Sequence, residues 1–190
     1  MMKYILKSLI MATLLSLSGL LQAAGTPFTY NYLDVGLRLA DRDGIDATGI
    51  GAEGSFQIQP RLRVKAIFQY LDADDFDGEL EDIGASIGYY TELDPQSHFV
   101  FDVGLMYEYF SAGNFDDDDT GIKLDGTLRH QLNEKLEFNA GINYIDIFDD
   151  DDIGILLAGI FQIAPKMHAQ VRYESIFETD TFSFGVRMLF

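Results

Sequence analysis

The residues best equipped for chemistry in this chain are carboxylates in dense runs. Asp116, Asp117, Asp118 and Asp119 form one run of four, and Asp149, Asp150, Asp151 and Asp152 form another. Asp72, Asp74, Asp75, Asp77, Glu79, Glu81 and Asp82 crowd a third stretch. Clustered carboxylate oxygens suit hard cations such as Ca2+ or Mg2+. Like charges this close repel unless cations screen them. Asp74, Asp75, Asp77, Asp116, Asp117, Asp118, Asp149, Asp150 and Asp151 are therefore the candidate ligands of a weakly held divalent ion. EF-hand spacing does not fit: with Gly78 at the sixth loop position, Ala73 falls first and Gly84 twelfth, where that motif needs acids. The competing reading is a solvated hydrophilic rim, the usual fate of a charge run. No other cofactor is expected.

Hydrolytic chemistry would need a base within hydrogen-bond reach of a nucleophile. The histidines are His98, His130 and His168, and all three fall at the opposite ends of the predicted strands from the acidic stretches. Ser55, Ser86, Ser175 and Ser183 are scattered, with no serine evident at the height of a histidine. The sequence therefore predicts a protein that is not an enzyme, with a hydrolase as the minor alternative. Cysteine is absent, which removes disulfides and thiolate metal sites. Thirteen basic residues against 31 acidic ones give a net charge of −18, which disfavours binding to nucleic acid phosphates.

The elements that must position these groups are strands. The alternation is clear from Ile50, Ala52, Gly54, Phe56 and Ile58, which oppose Gly51, Glu53, Ser55, Gln57 and Gln59. Ten such segments are predicted, at about 28–40, 48–59, 61–71, 82–93, 98–110, 120–131, 135–146, 153–163, 167–175 and 181–190. In the first, Leu33, Val35, Leu37 and Leu39 share a face, which leaves Tyr30 and Tyr32 on the side of Asp34; a bulge near Leu33 would reconcile them. In the last, Phe182, Phe184, Val186, Met188 and Phe190 carry an oily face to the final residue. Lipid is the solvent that tolerates such a face.

Residues 1–23 read as a secretory signal peptide. Lys3 and Lys7 precede an apolar stretch from Leu9 to Leu21, and Leu21-Gln22-Ala23 stands before Ala24. Cleavage there removes two lysines and no acid, so the mature domain, residues 24–190, has a net charge of −20. No later stretch offers the roughly 18 consecutive apolar residues of a transmembrane helix.

The predicted connections alternate between two kinds. Gln59-Pro60-Arg61, Asp94-Pro95-Gln96-Ser97, Asn133-Glu134-Lys135 and Ala164-Pro165-Lys166 are tight-turn compositions. Residues 41–47, 72–82, 111–119, 147–152 and 176–180 read as acidic loops. Short and acidic links in strict alternation predict an all-β fold, a ten-stranded antiparallel up-and-down transmembrane β-barrel. Aromatics then fall into two groups by height, with Tyr107, Tyr109 and Tyr144 near the loops and Phe99, Phe138 and Phe161 near the turns, as at two bilayer interfaces. This orientation sends Arg38, Glu53, Arg63, Lys65, Asp102, Glu108, Lys123, Asp125, Arg129, Glu137, Arg172, Glu174 and Arg187 inward. Period 2 alone also permits a soluble barrel with its oily face inside; the girdles and the terminal Phe favour lipid outside.

The signal peptide, the ten strands and the terminal Phe190 together resemble the small single-domain, porin-like outer-membrane β-barrels of Gram-negative bacteria. Tyr30-Asn31-Tyr32-Leu33-Asp34-Val35-Gly36 is similar to the opening strand of one loose family of that group. The resemblance implies the outer membrane, recognition of the Phe190 strand by the assembly machinery, and contact with lipid and lipopolysaccharide, whose phosphates would share any divalent ions with the acidic loops. A monomer with a structural or surface-interaction role is expected. A narrow pore for ions or small solutes is the alternative, although a barrel this small leaves an interior that side chains can fill.

Overall fold

The computed structural model describes residues 28–42, 45–73 and 78–190. The expected signal peptide and three candidate ligands, Asp74, Asp75 and Asp77, lie outside the described residues. Ten strands follow one another: β1 (Tyr32–Arg42), β2 (Ile45–Gln59), β3 (Leu62–Ala73), β4 (Gly78–Asp94), β5 (Ser97–Ala112), β6 (Phe115–Asn133), β7 (Leu136–Ile147), β8 (Asp150–Ala164), β9 (Met167–Ile176) and β10 (Thr179–Leu189). Each pairs antiparallel with its sequence neighbours, and β1 pairs with β10, so the sheet closes into a barrel. Closure leaves no sheet edge within the lipid, where an unpaired backbone group costs several kcal/mol, of order ~2–7.

Side chains sort by parity. Leu37, Ile87, Leu105, Ile142 and Ile153 are exposed on the outside, whereas Asp34, Arg63, Asp102, Arg129 and Arg187 are buried within. The oily face therefore meets lipid and the ionic residues fill the lumen. β1 needs no bulge: its pairing runs unbroken from Tyr32↔Leu189 to Arg42↔Thr179, and Tyr32 turns inward beside Asp34 by plain alternation. Tyr30 belongs to residues 28–31, an irregular lead-in rather than the first part of a strand from residue 28, since β1 starts at Tyr32. Register shifts do occur, between Gln57 and Gln59, Glu92 and Asp94, Gln131 and Asn133, and Gln162 and Ala164. All four precede the short turns.

The acidic stretches are not all loops. β5 and β6 continue to a two-residue Gly113-Asn114 turn, so Asp116, Asp117, Asp118 and Asp119 lie in β6. Likewise Asp150, Asp151 and Asp152 lie in β8, and only Phe148 and Asp149 form the turn before it. A strand that has left the bilayer still has its hairpin partner, so the ladder continues into water and its outer positions become polar.

Candidate functional site

The lumen is filled in three storeys. At the turn end, residues 28–31 cross the mouth to the far wall. Tyr30, 2 % exposed, stacks on Tyr90 with ring centroids 3.9 Å apart. Its hydroxyl lies 2.9 Å from His98 Nδ1, sharing one hydrogen bond. Two guanidiniums flank the ring, Arg129 at 4.7 Å and Arg63 at 5.5 Å from its centroid. Phe28 packs on His98 and under Arg129. Arg129 also donates to the carbonyl of Thr29, and Asn31 Oδ1 accepts the N–H of Gln57. Val100 completes this apolar cluster. Cation–π contacts out of water are worth roughly 2 kcal/mol each, so the lead-in is a stopper held from several strands.

The middle storey is a closed circuit of charge. Arg63 grips Asp102 with two hydrogen bonds of 3.1 and 2.6 Å. Lys65 bridges Asp102 at 3.7 Å to Asp125 at 2.8 Å. Lys123 links Asp125 at 3.8 Å to Glu174 at 3.5 Å. Arg172 joins Glu174 at 2.9 Å to Glu53 at 3.3 Å. Tyr32 donates to Glu53 at 2.7 Å and accepts from Arg63 at 3.3 Å, which closes the ring. The side chains come from β1, β2, β3, β5, β6 and β9, so the circuit spans the lumen. Signs alternate around it, four positive and four negative. Buried charges persist only when paired and hydrogen-bonded, and each cation here touches two carboxylates or a carboxylate and a phenol. Below the ring, Arg129 pairs with Glu137 and Arg187 with Asp34, both through two hydrogen bonds. Arg187 also sits 3.8 Å from the centre of the Tyr32 ring.

The outer storey is mixed: the Asp82 carboxyl shares a hydrogen bond with Glu108 and accepts one from Gln69 Nε2 at 3.0 Å, and an apolar cluster lies beside them. Met106, Ile145 and Ile147 are buried on the lumenal face, and Ile67, Phe148, Ile176 and Phe177 pack against them. A cavity of about 160 Å³ lies at the turn mouth, lined by Arg129, Glu137, Ile160, Gln162, His168 and Arg187.

The candidate ligands fare as follows. Asp116, Asp117 and Asp118 are exposed along β6, Asp149 sits in a turn, and Asp150 and Asp151 open β8, also exposed. Among the described residues, no three His, Asp or Glu side chains converge as a metal site. The fourth aspartate of each run has a backbone partner: Asp119 accepts the N–H of Phe148 at 2.7 Å and Asp152 that of Phe177 at 2.5 Å. A sequence signal for this pair exists. Phe-Asp-Asp-Asp-Asp-x-Gly-Ile occurs at Phe115 and again at Phe148.

The three histidines do lie at the turn end, but one expectation about them fails. His130 has a serine beside it: Ser97 Oγ lies 2.9 Å from His130 Nδ1. Ser97 and His130 are register partners across β5 and β6, a relation that strand pairing decides and serine spacing along the chain does not. Asp94 lies beside the same pair, hydrogen-bonded with Ser97 and accepting the N–H of Gln96 at 2.7 Å. The contact is a cross-strand hydrogen bond at the rim.

Residues 10–190 match the model of a family described as the outer membrane protein beta-barrel domain. Among solved structures, the NanC porin superposes with a TM-score of 0.52 at 13 % identity, covering 83 % of this chain and all of that one. Neisserial surface protein A gives 0.44 at 14 % identity, covering 84 % and 95 %. Ail, the attachment invasion locus protein of Yersinia pestis, gives 0.44 at 11 % identity, covering 85 % and 100 %. No curated protein matches the chain in sequence. The likeness to the NanC porin is one of fold.

Proposed function

This chain belongs to the outer membrane protein beta-barrel domain family, and on that premise we propose that it is a non-enzymatic, non-conducting barrel with a structural or surface-interaction role. The observation that carries this reading is the circuit from Arg63 through Asp102, Lys65, Asp125, Lys123, Glu174, Arg172 and Glu53. An ion crossing the lumen would have to separate charges that are already paired. Breaking a buried pair costs about 3–5 kcal/mol, a high barrier to add to each passage. The stopper below and the packed cluster of Met106, Ile145 and Ile147 above act in the same direction.

Export through residues 1–23, insertion through the strand that ends beside Phe190, and contact with outer-membrane lipid and lipopolysaccharide belong to the same proposal. A narrow pore is the rival, and the cavity at the turn mouth is its foothold. Planar-bilayer recording on the purified barrel separates the two. The expected trace shows no unitary steps beyond the lipid baseline. Stable, reproducible steps of one size would replace this reading with the pore.

A further inference from the structure

Two hairpin turns lean over the outer end of the lumen. Phe148-Asp149 joins β7 to β8, and Phe177-Glu178 joins β9 to β10. All four residues have positive φ, between 50 and 59°. That is the backbone of a type I′ turn, which selects Asn and Gly, so an aromatic in the first position is held against its preference. The return is direction: both Phe rings pack on the lumenal cluster of Met106, Ile145 and Ile147.

The same arrangement holds each turn in place. The Phe N–H is donated to a carboxylate on the strand next to the hairpin, Asp119 of β6 for Phe148 and Asp152 of β8 for Phe177. The other oxygen of each carboxylate accepts the following N–H of its own strand, Thr120 at 2.7 Å and Ile153 at 2.8 Å. These aspartates occupy stretches that overhang the next hairpin, because β6 pairs with β7 only from Ile122 and β8 with β9 only from Ile155. Two positions on, glycine opens the wall inward. A Cβ on Gly121 would fall 2.6 Å from the Cβ of Ile147, and one on Gly154 would fall 2.7 Å from that of Ile176. The unit is thus an overhanging aspartate, a glycine and a neighbouring Phe turn, and the described residues contain it twice.

The geometry points to a double latch: Asp119 and Asp152 are positioning residues that hold Phe148 and Phe177 as two lids on the outer mouth of the lumen. This deepens the filled-lumen reading, on which its value as a closure rests. It also gives two members of the aspartate runs a role in the protein's own backbone.

The chain has no cysteine, so Met106→Cys places a single reporter beneath the lids. Its alkylation by a membrane-impermeant maleimide, added from the loop side of proteoliposomes, reads lid opening. Asp119→Ala with Asp152→Ala should raise the rate about tenfold, the factor that one charge-assisted hydrogen bond carries. Asp119→Asn with Asp152→Asn keeps an acceptor oxygen in place and should stay within about threefold of the parent. Heat-modifiable migration confirms that each variant is a closed barrel, and the single Ala variants serve if the pair does not fold. A second reporter, Gln162→Cys at the turn end, should keep its rate. An unchanged Met106→Cys rate in the Ala variants overturns the latch. So does equal acceleration in the Asn and Ala pairs, or at both reporters. A barrel that conducts while the labelling pattern holds would remove the filled-lumen reading and leave the latch standing.

Discussion

The two mouths of the lumen are closed by unlike means. At the turn end one stopper serves, and its contacts are remote in sequence: Tyr30 meets Tyr90 and His98, and Thr29 meets Arg129. At the loop end the closure is divided between two turns, and each Phe is held from the adjacent strand. The first is a single dense knot of aromatic and cationic groups. The second is modular, so that losing one module leaves the other. The difference teaches that a barrel can seal itself either with chain from beyond its strands or with the hairpins that the strands already supply.

Tyr30→Ala should separate the two ends most strongly. It removes a ring that is 2 % exposed and stacked between guanidiniums, and large aromatic-to-Ala changes in packed interiors cost about 3–5 kcal/mol. Denaturant unfolding in lipid measures it, and a loss below about 1 kcal/mol would show that the stopper merely rests in the mouth. Phe148→Ala should cost less, about 1–2 kcal/mol in the same assay, since its ring is only partly buried. A loss from Phe148→Ala as large as that from Tyr30→Ala would contradict the modular picture. Tyr30→Phe probes one hydrogen bond inside the knot. It leaves the stack and the cations and should cost about 1 kcal/mol. A neutral result would assign the stopper's hold to the rings alone.

Much of the fold was legible because the bilayer imposes a period of two. The outward Leu, Ile and Phe and the inward Arg, Lys, Asp and Glu were readable from alternation, and the ten strands follow from it. Polarity alone does not mark a loop in this chain. Asp116 to Asp119 are charged because that part of β6 is in water, yet they remain strand because β5 pairs with them from Ala112↔Phe115 onward. The stopper was half-legible. Tyr30 and Tyr32 share the parity of Asp34, which pointed inward, but nothing local says that the chain at Tyr30 leaves the sheet and crosses the mouth. Ser97 beside His130 was missed because hairpin pairing brings together residues that are far apart in the chain.

By itself the sequence determined which face of each strand meets oil and which carries charge, because burial in hydrocarbon selects side chains one at a time. Which charge meets which was decided only by tertiary structure. Arg172 finds Glu53 and Lys65 finds Asp125 across the lumen, and that choice depends on the stagger with which ten strands close. The same holds for the lids. Asp119 reaches Phe148 because β6 overhangs the hairpin beside it, and an overhang is a property of neighbouring strands in register, which no single segment contains.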